Sequence, residues 1–128
     1  RLVLIGFSFG ADVLPAVAAR LPAPLRAKLV LISLLGLSEK ADFEFRLASW
    51  LGRVSDEAMP VAPELAKLDP TILQCVYGED DRASLCRTPL FDRGERIGTT
   101  GGHHFDGDYE TIAARILEAA RHRAGSVP

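Results

Sequence analysis

The chain has 128 residues and a formal net charge of -2, with 48% hydrophobic and 25% charged residues. This length predicts one domain able to bury roughly two-thirds of its unfolded surface, and this composition excludes disorder and low-complexity character. Fifteen Lys and Arg dispersed among 17 Asp and Glu leave no basic footprint for nucleic acid, and no apolar run reaches the ~20 residues that span a bilayer.

Taken in chain order, residues 1–5 read as a buried strand and residues 9–21 as a helix stopped by Pro22 and Pro24. Pro15 inside that helix removes the hydrogen bond to Ala11 and predicts a kink. Residues 29–35 read as a second buried strand, interrupted only by Ser33. Residues 39–69 read as an excursion without a strand, with helical pieces at 43–51 and 63–68. A third strand is expected at 72–77, a weaker fourth at 95–99, and a final helix at 109–123 with Ile112, Ile116, Leu117 and Ala120 on one face. Residues 124–128 read as a frayed tail. Strands alternating with helical stretches predict an α/β fold, a mostly parallel sheet with crossover helices.

Gly6-Phe7-Ser8-Phe9-Gly10 has the spacing G-x-S-x-G and falls between a predicted strand and a predicted helix. A nucleophile there sits on a sharp turn, and small residues two before and two after it let strand and helix approach. Ser8 is the candidate nucleophile. The N–H of Phe9, at the helix start, is the candidate oxyanion donor.

A serine hydroxyl needs a general base, and the base needs an acid to orient it. Of three His residues, His122 lies between Arg121 and Arg123 and reads as a solvated surface residue. His103 and His104 follow Gly101-Gly102 in the loop between the last strand and the last helix. His103 is the preferred base, because the glycines permit close approach, and His104 is the alternative. The acid is expected after the third strand, at Gly78-Glu79-Asp80-Asp81. Asp81 is preferred, with Asp80 and then Glu79 as substitutes. Each group also has a plainer reading, as a glycine-rich turn, a structural histidine pair or a solvated acidic loop. No cofactor is implied, and a metal site built from His103, His104, Asp106 and Asp108 is a weak reading, because successive side chains alternate in direction. Cys75 and Cys86 flank one loop, and their spacing alone leaves a disulfide and two unrelated thiols equally open.

Several longer strings carry a more specific likeness: Ser8-Phe9-Gly10-Ala11-Asp12-Val13-Leu14-Pro15, Ser33-Leu34-Leu35-Gly36-Leu37-Ser38, Ala41-Asp42-Phe43-Glu44, and Gly101-Gly102-His103-His104-Phe105-Asp106-Gly107-Asp108-Tyr109. Through them the chain resembles the VirJ/AcvB-type bacterial virulence proteins of the α/β-hydrolase superfamily. The resemblance implies a periplasmic protein. For AcvB-type members it implies hydrolysis of the aminoacyl ester of lysyl-phosphatidylglycerol, and for VirJ-type members a link to type IV secretion. It also favours a Cys75–Cys86 disulfide.

The resemblance further implies that residues 1–128 are the C-terminal portion of a single α/β-hydrolase domain, lacking the N-terminal strands and the loop that gives a second oxyanion donor. The first reading of function is therefore a serine esterase. Asp42, Glu44 and Asp106, together with Glu79 and Asp108, are the candidate acidic rim for a cationic headgroup, although Asp106 or Asp108 also suits a helix N-cap. The second reading is a non-catalytic hydrolase-fold module that docks on a secretion apparatus. Expected partners are a small-molecule or lipid headgroup ester, a peripheral membrane contact, and either an upstream segment or a second copy pairing with the exposed edge of the first strand.

Overall fold

The structure, a computed structural model, describes residues 1–41 and 59–125. Four strands form one parallel sheet: β1 (Leu2–Phe7), β2 (Leu29–Leu35), β5 (Leu73–Gly78) and β6 (Glu95–Thr99), in the order β1-β2-β5-β6. The helices are α1 (Phe9–Ala19), the single turns α2 (Ala23–Arg26) and α3 (Ala62–Leu65), and α4 (Tyr109–Gly125). Lys40–Ala41 and Met59–Pro60 pair antiparallel as a two-residue ladder, β3 and β4. That ladder corrects the expectation of a strandless excursion. The helix expected at 43–51 lies outside the described residues, as does the end of the tail.

The sheet is covered on both faces because its inner strand β2 is apolar on both. All seven residues of β2 are buried. Ile32 and Leu34 face α1 and α3, packing with Ala11, Ala18, Leu65, Leu73 and Cys75. Leu31 and Leu35 face α4, packing with Val76, Ile97, Phe105, Ile112 and Ile116. Burying each such Leu or Ile stabilises the fold by about 2 kcal/mol. Leu117 was expected on the buried stripe of α4 but is 53% exposed. The stripe is narrow, built from Ile112 and Ile116 one turn apart with Ala119 and Ala120 beside them.

The polar break in β2 has a partner. Ser33 donates to Gln74 Oε1 at 2.7 Å, and Gln74 Nε2 donates to Glu95 Oε2 at 3.1 Å. These residues are register partners across β2, β5 and β6, so one polar row, buried at Ser33 and Gln74, crosses the sheet and ends on Arg123 of α4. A buried hydroxyl and amide are tolerated because each is hydrogen-bonded.

α1 runs through Pro15 as one helix. Arg20, which caps its C-terminus, reaches Glu64 of α3 at 2.7 Å, and Lys67 reaches the same carboxylate at 2.9 Å. The two cations hold the Glu64 carboxyl down at about 2. β1 is an edge strand: among the described residues it pairs only with β2, and its Ile5 and Phe7 are exposed.

Candidate active site

Loops leaving the carboxyl ends of β1, β5 and β6 meet at one edge of the sheet, the place where parallel α/β sheets collect reactive groups. Ser8 stands alone between β1 and α1 with φ 54° and ψ -122°. A non-glycine residue there is strained, and hydrogen bonds of its own backbone hold it in place. The Ser8 amide donates to the Leu35 carbonyl at 2.8 Å, and the Ser8 carbonyl accepts from Ala11 and Asp12 at the helix start. A side chain on Gly6 would lie 2.5 Å from the Gly10 carbonyl oxygen, so the strand and helix could not close with any larger residue. At Gly10 a Cβ would meet open space. The expected steric need is therefore Gly6's, with Gly10 supplying the backbone that Gly6 touches.

Serine at a helix N-cap ordinarily accepts a hydrogen bond from the first turn. The Ser8 side chain makes no such bond. It faces His103 instead, with Oγ 2.9 Å from Nε2. The other ring nitrogen, Nδ1, lies 3.9 Å from Asp81 Oδ2, within ion-pair range but beyond a hydrogen bond. Asp80 is exposed, as are Glu79 and His104. His104 stands edge-on to His103, with ring centroids 5.4 Å apart, and both rings approach Phe7. Of the two histidines, His103 is the one brought to Ser8; of the acids in the 79–81 loop, Asp81 is the one brought to His103. Phe9 is the first residue of α1, where the positive end of the helix dipole lies.

The acid loop is held at several points. Cys75 in β5 and Cys86, both fully buried, form a disulfide with their Cα atoms 5.5 Å apart. Arg87 donates through Nε to the Asp81 carbonyl and through a second nitrogen to the Glu79 carbonyl, with its guanidinium 4.8 Å from the Tyr77 ring centre. The amides of Glu79 and Asp80 donate to Thr99 and Gly101, which ties the acid loop to the histidine loop.

The structure describes only part of the expected acidic rim. Asp42 and Glu44 lie outside the described residues. Asp106 has its carboxylate against the Gly101 backbone, and Asp108 accepts from the Thr111 amide at 3.2 Å, capping α4. Among the described residues no cluster of three or more His, Cys, Asp or Glu side chains is arranged to hold a metal. Sequence reasoning missed Asp12 and Gly36. Asp12 is buried in the first turn of α1, and Gly36, at φ +66°, lies against the His103 ring. The signal for Asp12 was a carboxylate inside the apolar run Ala11-Asp12-Val13-Leu14.

Residues 1–124 match the model of a bacterial virulence protein family, VirJ. The chain belongs to the VirJ family. Its fold is that of the α/β-hydrolases: the structure is similar to a thioesterase domain from the curacin biosynthetic pathway, with a TM-score of 0.54 at 18% identity. The match covers 91% of this VirJ-family chain and 64% of the thioesterase domain, so the chain spans less than two-thirds of that neighbour's length. No curated protein matches the chain at a significant level. The disulfide in this VirJ-family protein is consistent with an extracytoplasmic location, since such bonds persist in oxidising compartments. Among the described residues no helix is long and apolar enough to cross a membrane.

Proposed function

We propose that this chain is a serine hydrolase acting on carboxylic esters. The observation that carries the reading is the Ser8 hydroxyl, which leaves its helix uncapped and lies 2.9 Å from an imidazole nitrogen. In this reading His103 Nε2 takes the Ser8 proton as Oγ attacks the ester carbonyl carbon, and the Asp81 carboxylate balances the imidazolium that results. The tetrahedral oxyanion is stabilised by the Phe9 N–H and the positive end of α1. Collapse breaks the ester bond, and His103 passes the proton to the departing alcohol. Water then attacks the acyl-serine by the same route. The Asp81 to His103 contact is long, as such contacts often are before substrate enters.

For substrate we propose the aminoacyl ester of lysyl-phosphatidylglycerol, met at the periplasmic membrane surface. The likeness of the sequence to AcvB-type members supports the substrate, and the disulfide supports the compartment. The thioesterase neighbour adds acyl thioesters as a second class to assay. The test is to mix the protein with anionic vesicles containing lysyl-phosphatidylglycerol and follow free lysine. Release that vanishes in Ser8→Ala supports the proposal. Turnover of simple nitrophenyl esters without lysine release would keep the chemistry and discard this substrate.

A further inference from the structure

The same site contains a second carboxylate that the mechanism above does not use. Asp12 is 7% exposed, on the first turn of α1 one helical turn beyond Ser8. Its Oδ1 accepts from the Ser38 amide at 2.8 Å, which fastens the chain leaving β2 to the nucleophile helix. That fastened segment includes Gly36, whose Cα side forms the wall against His103: a Cβ there would lie 2.8 Å from Cε1 and 3.0 Å from Nδ1. Asp12 is therefore tied to the wall beside the ring, and its charge interacts with that of His103.

We propose that Asp12 is a positioning residue for His103, holding the wall that sets the ring against Ser8 and countering the positive charge the ring gains when it accepts the serine proton. The proposal rests on the serine hydrolase reading of this site. Burial raises the Asp12 carboxyl above its usual range, while the Ser38 amide and the attraction of His103 oppose that rise. Around the imidazole stand Asp81 from the loop after β5, His104 beside it in the chain and the Ser8 hydroxyl, and the Asp12 charge interacts with it from α1. With Asp81 3.9 Å away, a second carboxylate has room to matter.

Asp12→Asn separates charge from shape, because the amide oxygen can still accept from Ser38. The test is the rate at which a fluorophosphonate labels Ser8, measured across pH for the full chain and for this variant. The expected result is a variant that melts like the parent, labels roughly threefold to tenfold more slowly near neutral pH, and has its acid limb moved to lower pH. Asp12→Ala, which suits a helix interior and also frees the wall, should show the same direction with a larger loss. Labelling by Asp12→Asn at the parent's rate with an unmoved acid limb overturns the proposal. If the parent itself is never labelled, the hydrolase reading fails, and the His103 ring signals followed by NMR decide this proposal alone. A titration moved to lower pH in Asp12→Asn upholds it; superimposable curves refute it.

Discussion

His103 Nε2 lies 2.9 Å from Ser8 Oγ although 95 positions separate the two residues in the chain. The contact depends on β1 and β6 ending at the same edge of one parallel sheet. His104 follows immediately but is exposed, facing Phe7 and the edge of the His103 ring. His103→Ala should lower ester turnover by about a thousandfold or more, as removal of a base from such a set does. His104→Ala should cost less than about tenfold. Steady-state kinetics on both variants checks the ranking, and the reverse order would move the base to His104.

The Cys75–Cys86 bridge closes a loop that contains Asp81. Replacing both cysteines by Ala should reduce unfolding free energy by about 2–3 kcal/mol, from the freedom restored to the unfolded chain. Turnover should also fall, because the loop holding Asp81 loses its covalent anchor. Denaturant unfolding and turnover of the double variant measure the two effects. Unchanged values of both would show that Arg87 and the backbone bonds hold the loop unaided.

Glu64 links α1 to α3 through Arg20 and Lys67 and titrates at about 2 in the folded chain. Its folded value is depressed, so its contribution is complete above the ordinary Glu range, near 4.3, and is lost as pH falls toward 2. Thermal melts from pH 6 to pH 2 should therefore fall less steeply below pH 4 in Glu64→Gln than in the parent. Parallel curves would show that the Arg20 and Lys67 contacts do not favour the charged form in solution.

β1 presents one unpaired edge among the described residues, with Ile5 57% exposed beside it. Such an edge is a template for another strand. We propose that the 128-residue chain associates through it, and that Ile5→Lys weakens the association without touching the core. Light scattering on both proteins tests this. A monomeric parent at 13.9 kDa rules out self-pairing of this edge.

Much of this arrangement was legible in the residues, for identifiable reasons. The elbow was legible because G-x-S-x-G follows an apolar run directly, and β2 because seven consecutive residues suit burial on both faces. Leu117 misled because the spacing of apolar residues cannot show how wide a stripe the sheet will cover. The β3–β4 ladder escaped because two residues per strand carry no period, and Met59–Pro60 has no strand signature. The choice between Asp80 and Asp81 turns on the course of a loop, which adjacent acids do not encode. Asp12 was visible only as a charge in an apolar helix; its use depends on Ser38, 26 positions away, meeting it in space.

The central claim is that Ser8 is a nucleophile activated by His103. Incubating the protein with a fluorophosphonate and measuring intact mass, followed by peptide mapping, tests it most directly. One adduct per chain, mapped to Ser8, absent in Ser8→Ala and strongly slowed in His103→Ala, is the predicted result. A chain that stays unlabelled while folded, or labelling that persists unchanged in Ser8→Ala, would contradict the account and leave a hydrolase-fold module associated with secretion as the better description.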